Sequence, residues 1–420
     1  MFTRHLDKAM SALRTMIMIS AATGAFAWTL LWGAEAHAQG QARCISLESK
    51  SAPGQFVRHF AFFGRTDPVA KDVDERDATF MMGPGLSGAS GSVSFEATNF
   101  PGYYLRHQLS AIVLSKDDGS QLFKDDATFL VRAGLADQTL ASFEASKVPG
   151  FYLHKRPFQG LGIDLKGPFA APGFNSDATF GITTARSKSE CGDNKKNPVI
   201  IVAATATIGL LYLSMRNRLQ REGYNAYIFE LPTLGMQDMK RSAEALKAFS
   251  DKVRARLRAS KVDLIGHSQG AEVSRSYLKY LGGAKEVGSM ISLGGPHYGT
   301  TVANVLSMTA VGAVCEACKQ MASGSQYLKD LNAKDEVFAT VSYTNFVTKL
   351  DLIIQPYASG LLRSTASNNV NVTVQDKCPL ALVDHVTLIS DGAVFSGILN
   401  ALARKPITNL DCLALPNLLP

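Results

Sequence analysis

Gly266-His267-Ser268-Gln269-Gly270 decides how this chain is read. It follows the apolar run Val262-Asp263-Leu264-Ile265 and opens a segment, Gln269 to Leu281, with helical composition. A serine with glycine at both second neighbours, set between strand and helix, has the pattern of a nucleophile elbow. The reason is steric. The turn forces the serine into a strained backbone conformation, and a side chain at Gly266 or Gly270 would crowd it. The hydroxyl is lifted above the sheet, and the free N–H of Gln269 comes to face a developing oxyanion. The plainer reading is a glycine-rich strand-to-helix connection without chemistry.

Working outward, Pro198 to Ala203 is a fully apolar run suited to a buried parallel strand. A helix is expected from about Ile208 to Arg221, a strand at Tyr224 to Phe229 and an amphipathic helix from Asp238 to about Ala259. The elbow strand comes next, then strands at Val287 to Leu293, within Val337 to Thr348, and at Val370 to Val374. A last helix is expected from Gly392 to Arg404. Alternating strand and helix predicts a parallel α/β sheet with crossovers.

A serine nucleophile needs a base, and the base needs an orienting carboxylate. The chain order in this arrangement is Ser, then Asp or Glu, then His. After Ser268 the histidines are His297 and His385. His297 comes too early to leave an acid strand before it. His385 stands just before the last helix, and Asp351 follows a strand and precedes His385. Asp384, adjacent to the base, would have to point elsewhere. Ser268, Asp351 and His385 are therefore the candidate triad.

These pieces, with Ser292-Leu293-Gly294-Gly295-Pro296-His297-Tyr298-Gly299-Thr300 and Val383-Asp384-His385-Val386, resemble a bacterial triacylglycerol lipase family of α/β-hydrolase fold over about residues 198–403. The resemblance implies ester hydrolysis through an acyl-serine, with Asp351 holding the imidazole of His385. It also places the oxyanion donors at the N–H groups of Thr205 and Gln269. Here the chain departs from the family, with Ala203-Ala204 where His-Gly or a similar glycine pair usually shapes the loop. The apolar stretch between Thr301 and Leu331 is expected to form a lid, an acyl pocket or plain core.

Residues 44–186 contain a threefold repeat. Ser46-Leu47-Glu48, Ser94-Phe95-Glu96 and Ser142-Phe143-Glu144 recur at intervals of 48 residues, each followed by Pro-Gly and an aromatic strand. Asp-Ala-Thr-Phe recurs at Asp77, Asp126 and Asp177. One such unit cannot bury its own apolar face, whereas three around an axis can, which predicts a closed all-β arrangement. The paired signatures resemble the arabinofuranose-binding module of α-L-arabinofuranosidase B, a β-trefoil. That resemblance implies sugar contacts from His59 with Asp77, from His107 with Asp126 beside Tyr103, and from Asp177. The third site departs, with His154 and Lys155 where Arg and His are usual. In the plainer reading each Asp caps a turn while Thr and Phe build the strand.

The first 38 residues carry a basic start (Arg4, Lys8, Arg14), an apolar stretch from about Met16 to Trp32, and Ala36-His37-Ala38 as a cleavage pattern. This predicts export to the periplasm or beyond, with no stable membrane insertion after cleavage. Residues 187–197 have linker composition, and 404–420 form a tail. The 420 residues are 46% hydrophobic and 19% charged, enough for two real cores. A net charge of +7, with no dense basic run interleaved with aromatics, gives no nucleic-acid footprint. Six cysteines in an exported chain point to disulfides rather than metal, and pairing Cys44 with Cys191 would staple the ends of the repeat domain. No metal or organic cofactor is expected. The expected partners are an acyl ester substrate and an arabinose-containing polysaccharide. Three functions compete: a lipase or esterase with a sugar-binding module, an esterase of arabinose-bearing polysaccharides, and a carbohydrate-binding protein with a weakened hydrolase domain.

Overall fold

The threefold repeat builds one twelve-stranded, all-antiparallel sheet that closes on itself as a barrel, in a computed structural model that describes residues 42–192 and 194–416. The expected export segment lies outside the described residues. Contacts divide the chain into two units, the first ending at Ser187 and the second beginning at Lys188.

The strands of the first unit are β1 (Arg43–Ser49), β2 (Gln55–Phe60), β3 (Phe63–Pro68) and β4 (Phe80–Pro84) in the first repeat. The second repeat supplies β5 (Ser92–Ala97), β6 (Tyr103–Gln108), β7 (Ala111–Lys116) and β8 (Phe129–Ala133). The third supplies β9 (Ala141–Ala145), β10 (Phe151–Lys155), β11 (Leu161–Leu165) and β12 (Phe180–Thr184). Pairing repeats with the sequence: β2 with β3, β6 with β7, and β10 with β11 form hairpins. Strands β4 with β5, β8 with β9, and β12 with β1 join one repeat to the next.

The recurring residues are explained by hydrogen bonds that also recur. Each serine of the first signature donates to the carbonyl of the alanine in its own Asp-Ala-Thr-Phe: Ser46 to Ala78 at 2.6 Å, Ser94 to Ala127 at 2.7 Å, Ser142 to Ala178 at 2.6 Å. Each glutamate accepts the N–H of the glycine after the turn proline: Gly54 to Glu48, Gly102 to Glu96, Gly150 to Glu144, at 2.8, 2.6 and 2.7 Å. Those glycines have φ of 82°, 83° and 84°, a region that a side chain would strain. Each threonine donates back to a carbonyl four residues earlier, at 2.7 Å in all three repeats. Between these polar ties lie Leu47, Phe95 and Phe143 with Phe80, Phe129 and Phe180, all buried. Phe95 meets Phe143 edge-on at 5.1 Å, a favoured aromatic geometry.

The second unit is a six-stranded, fully parallel sheet. Its strands are β13 (Val199–Val202), β14 (Ala226–Phe229), β15 (Val262–His267), β16 (Val287–Leu293), β17 (Ser342–Val347) and β18 (Asn369–Thr373), in the order β14-β13-β15-β16-β17-β18. Both faces are covered. Ile200 and Val202 enter one apolar cluster, while Val199, Ile201 and Ala203 enter the other. The chain runs outward from β13 to β14 and then returns to β15 on the other side. The carboxyl ends of β13 and β15 therefore flank the switch point, where parallel sheets open a crevice.

Candidate functional site

Ser268 occupies that switch point. It lies between β15 and the helix Gln269–Tyr280, with φ 53° and ψ −123°. A non-glycine residue holds such a conformation only where its surroundings impose it. The two glycines do so by close approach. A Cβ on Gly266 would lie 2.5 Å from the Cα of Ala271, and one on Gly270 would lie 2.3 Å from the carbonyl oxygen of Val202. Ser268 is anchored through its own N–H to the carbonyl of Leu293 at 2.9 Å.

The base and the acid meet. Asp351, just beyond β17, faces His385 with Oδ2 at 2.7 Å from Nδ1, and both residues are buried. The other carboxylate oxygen accepts the N–H groups of Ile353 at 2.8 Å and Ile354 at 2.7 Å, which fixes the carboxylate plane. The loop holding Asp351 is tied to the loop after β16, where Thr300 Oγ1 donates to Ile353 and accepts the N–H of Gln355. A Cβ on Gly294 would sit 3.0 Å from Nδ1 of His385, so the base lies against the residue after the partner of Ser268. Among the described residues no hydrogen bond joins the Ser268 hydroxyl to the His385 ring. Catalytic hydrogen bonds often tighten only with substrate bound.

The side chains of the two residues expected to supply oxyanion donors meet. Thr205 Oγ1 donates to Oε1 of Gln269 at 2.6 Å, and the Gln269 amide donates to the Gly235 carbonyl at 2.8 Å. The Gln269 N–H stands at the first position of its helix, where no intrahelical acceptor exists. The neighbouring N–H groups have other tasks: Ala204 donates to the Tyr212 hydroxyl and Ala206 to the Leu234 carbonyl.

His297 is fully buried, with Nδ1 2.6 Å from Glu272 Oε1 and Nε2 3.1 Å from Asn345 Oδ1. Glu272 also takes Arg275 at 3.1 Å; burial pushes its carboxyl up, but the combined pull of His297 and Arg275 holds it below the usual range. This cluster under the elbow helix escaped the sequence reading. Glu272 and Arg275 are spaced as ordinary helix-surface charges, and nothing local marks them as buried.

The stretch 301–331 divides. Cys315, Ala317, Cys318, Tyr327, Leu328 and Leu331 join one core, and Cys315 pairs with Cys318. Val305 and Val314, in the preceding helices Thr301–Ser307 and Ala310–Val314, and Met308 between the two are exposed. Cys378 pairs with Cys412, and no described cysteine is free.

In the first unit the three expected sugar positions differ. Asp77, Asp126 and Asp177 each end a short helix: α1 (Asp72–Asp77), α2 (Gln121–Asp126) and α3 (Phe174–Asp177). His59 and Asp77 are spanned by Asn99, whose Oδ1 lies 3.0 Å from His59 Nε2 and whose amide donates to Asp77 at 2.8 Å. All three are buried. Tyr103 packs with Phe62 and Phe100 and so joins the aromatic group around His59. In the second repeat Arg106 pairs with Asp126 at 2.7 Å, and His107 Nε2 lies 3.6 Å from the same carboxylate. That buried nitrogen makes no hydrogen bond among the described residues. Burial pushes the His107 imidazole below its ordinary pKa. In the third repeat Lys155 lies 3.7 Å from Asp177, while His154 stacks on Phe174 and bonds Asp164.

Two families match. Residues 62–182 match the alpha-L-arabinofuranosidase B domain, and residues 214–357 match palmitoyl protein thioesterase. The second match includes Ser268 and Asp351 and stops short of His385. Among curated relatives, a probable alpha-L-arabinofuranosidase B of Aspergillus clavatus is 30% identical over 146 residues, covering 32% of this chain and 27% of that protein. An extracellular exo-alpha-(1->5)-L-arabinofuranosidase of Streptomyces avermitilis is 41% identical over 93 residues, 22% of this chain and 19% of that protein. This chain thus spans well under a third of either relative's length. Among solved structures, lipase B of Aspergillus fumigatus overlaps with 20% identity and a TM-score of 0.44, covering 50% of this chain and 54% of that one. An arabinofuranosidase complexed with arabinofuranosyl-alpha-1,2-xylobiose overlaps with 25% identity and a TM-score of 0.33, covering 35% and 32%. The first unit is thus similar over residues 62–182 to an arabinofuranosidase B domain, and the second over residues 214–357 to palmitoyl protein thioesterase.

Proposed function

We propose that the second unit is a serine ester hydrolase acting through an acyl-serine, exported together with a sugar-binding β-trefoil. The observation that carries this reading is the 2.7 Å contact between Asp351 and His385 in the same crevice as the strained Ser268. Ser268 Oγ attacks the ester carbonyl carbon and gives its proton to His385 Nε2. Thr205 and Gln269 offer N–H groups to the oxyanion. Collapse of the tetrahedral intermediate breaks the carbon–oxygen bond, and the departing alcohol takes the proton from His385. Water then repeats the sequence and frees the acid. Asp351 keeps Nδ1 protonated and steadies the imidazolium. The thioesterase match extends the substrate class to thioesters of long acyl chains.

A second substrate reading is favoured by the arabinofuranosidase-B-like domain in the same chain. Arabinose-bearing polysaccharides carry ester groups, and a barrel that holds arabinofuranose would deliver the hydrolase to them. The threefold pairing of the barrel supports its reading as a trefoil. The pair His107 and Asp126 is the sugar position we favour, with Asp177 altered by Lys155.

Hydrolysis of p-nitrophenyl acetate, butyrate and palmitate by the mature protein, with Ser268→Ala as control, tests the reading. Turnover that depends on Ser268 and rises with chain length supports a lipase. Turnover confined to acetate favours the polysaccharide esterase. Turnover unaffected by Ser268→Ala sinks the serine mechanism.

A further inference from the structure

His267, beside the nucleophile, is buried and has both ring nitrogens engaged. Nε2 lies 3.0 Å from the backbone carbonyl of His385, and Nδ1 lies 2.9 Å from the Tyr212 hydroxyl. A carbonyl only accepts, so Nε2 carries the proton and Nδ1 is the acceptor. The Tyr212 hydroxyl therefore donates to Nδ1. Its oxygen accepts the N–H of Ala204 at 2.8 Å. Thr207 Oγ1 stands 3.2 Å from the same hydroxyl and sends its own proton to the Ala204 carbonyl at 2.8 Å. Every donor in this chain of contacts has one acceptor, and the order of protons is fixed.

The chain has two ends, and both lie at the chemistry. One end is Ala204, whose neighbour Thr205 presents an oxyanion N–H. The other end is the backbone of His385, the base. We infer that Tyr212 and His267 form a neutral hydrogen-bonded brace that sets the spacing between the Thr205 loop and the His385 loop. The inference rests on the acyl-serine reading above. Both residues act through others and touch no substrate, so they are positioning residues.

Burial supports the neutral state at both members. It pushes the His267 imidazole down to about 3, helped by the adjacent His385, and raises the Tyr212 phenol above its ordinary value. His267 therefore does not compete with His385 for the serine proton at neutral pH. The brace also accounts for Ala203-Ala204 at positions where a glycine pair was expected. The loop is held from outside by a phenol, so its shape does not depend on glycine.

The test uses the full mature protein and two single variants, Tyr212→Phe and His267→Gln, with their double. A fluorophosphonate that labels reactive serines counts competent Ser268 in each preparation, so losses from misfolding cancel. Turnover of p-nitrophenyl butyrate is then expressed per labelled site. Misplacement of an oxyanion donor or base by a fraction of an ångström to an ångström costs roughly 10- to 100-fold. The expected result is a fall of that size in kcat per site for Tyr212→Phe, with KM within about twofold because the substrate contacts remain. The double variant should be no slower than the slower single, since the two residues share one hydrogen bond. Full kcat per labelled site in Tyr212→Phe, or losses that multiply in the double, would overturn the brace. Absence of label on the wild-type protein would remove the serine mechanism, and the brace with it.

Discussion

Asp351 divides its two oxygens between two tasks, and the division predicts what an amide would do there. One oxygen accepts two backbone N–H groups and the other meets His385. In Asp351→Asn the backbone donors would claim the amide oxygen and turn the NH2 toward His385. Nδ1 would then become an acceptor and the proton would move to Nε2, leaving no base for Ser268. We expect kcat to fall on the order of 10⁴-fold with the fold intact, a loss like that of a triad with the wrong tautomer. Steady-state kinetics with a folded fraction checked by circular dichroism decides it, and a loss below tenfold would contradict the assignment. In the barrel, Asn99 already spans His59 and Asp77, whereas Nε2 of His107 makes no hydrogen bond among the described residues. Titration with arabinose should therefore find His107→Ala weakened by roughly tenfold or more, the equivalent of one hydrogen bond of about 1.4 kcal/mol. His59→Ala should leave the affinity of the remaining folded protein unchanged. Asn99 was not legible as a plug, because the residue that fills the first repeat's position comes from the second repeat.

At the scale of elements, the elbow was the most legible part of the chain. Its glycines have a steric cause that the sequence pattern encodes directly, and the close approaches at Gly266 and Gly270 bear that out. Gly270→Ala should cost at least about 1–3 kcal/mol, because the added methyl meets a strand carbonyl rather than a movable side chain. A urea midpoint measured against wild type would show it, and an unchanged midpoint would contradict the packing described. Strand and helix positions also followed from apolar runs. The β17 region was expected as a longer span and is shorter, Ser342–Val347, because Val337 to Thr340 packs as a turn around Tyr343. The stretch 301–331 could not be resolved from its composition. Its apolar residues look alike in sequence, and only packing separates the buried Cys315–Leu331 part from the exposed side chains before it.

At the scale of the whole molecule, two units with separate cores were visible in the change from a 48-residue repeat to alternating strand and helix. What the sequence hid was the wiring between distant loops, such as Tyr212 to His267 to His385, since hydrogen bonds across such separations leave no local period. The last segment is held by Cys378–Cys412, which are separated by 34 positions. Replacing both with serine should lower the stability of the second unit by about 2–4 kcal/mol, through the larger freedom of the unfolded chain. Chemical denaturation followed by tryptophan-independent circular dichroism would measure it, and no change would mean that the tail contributes nothing. Both proposed substrate classes require Ser268 to become acylated. Mixing the protein with p-nitrophenyl butyrate, quenching during the first turnover and mapping peptides by mass spectrometry tests this most directly. A butyryl group on the peptide containing Ser268, absent in Ser268→Ala, is the predicted result. Release of p-nitrophenol with that peptide unmodified, at equal rate in Ser268→Ala, would contradict it.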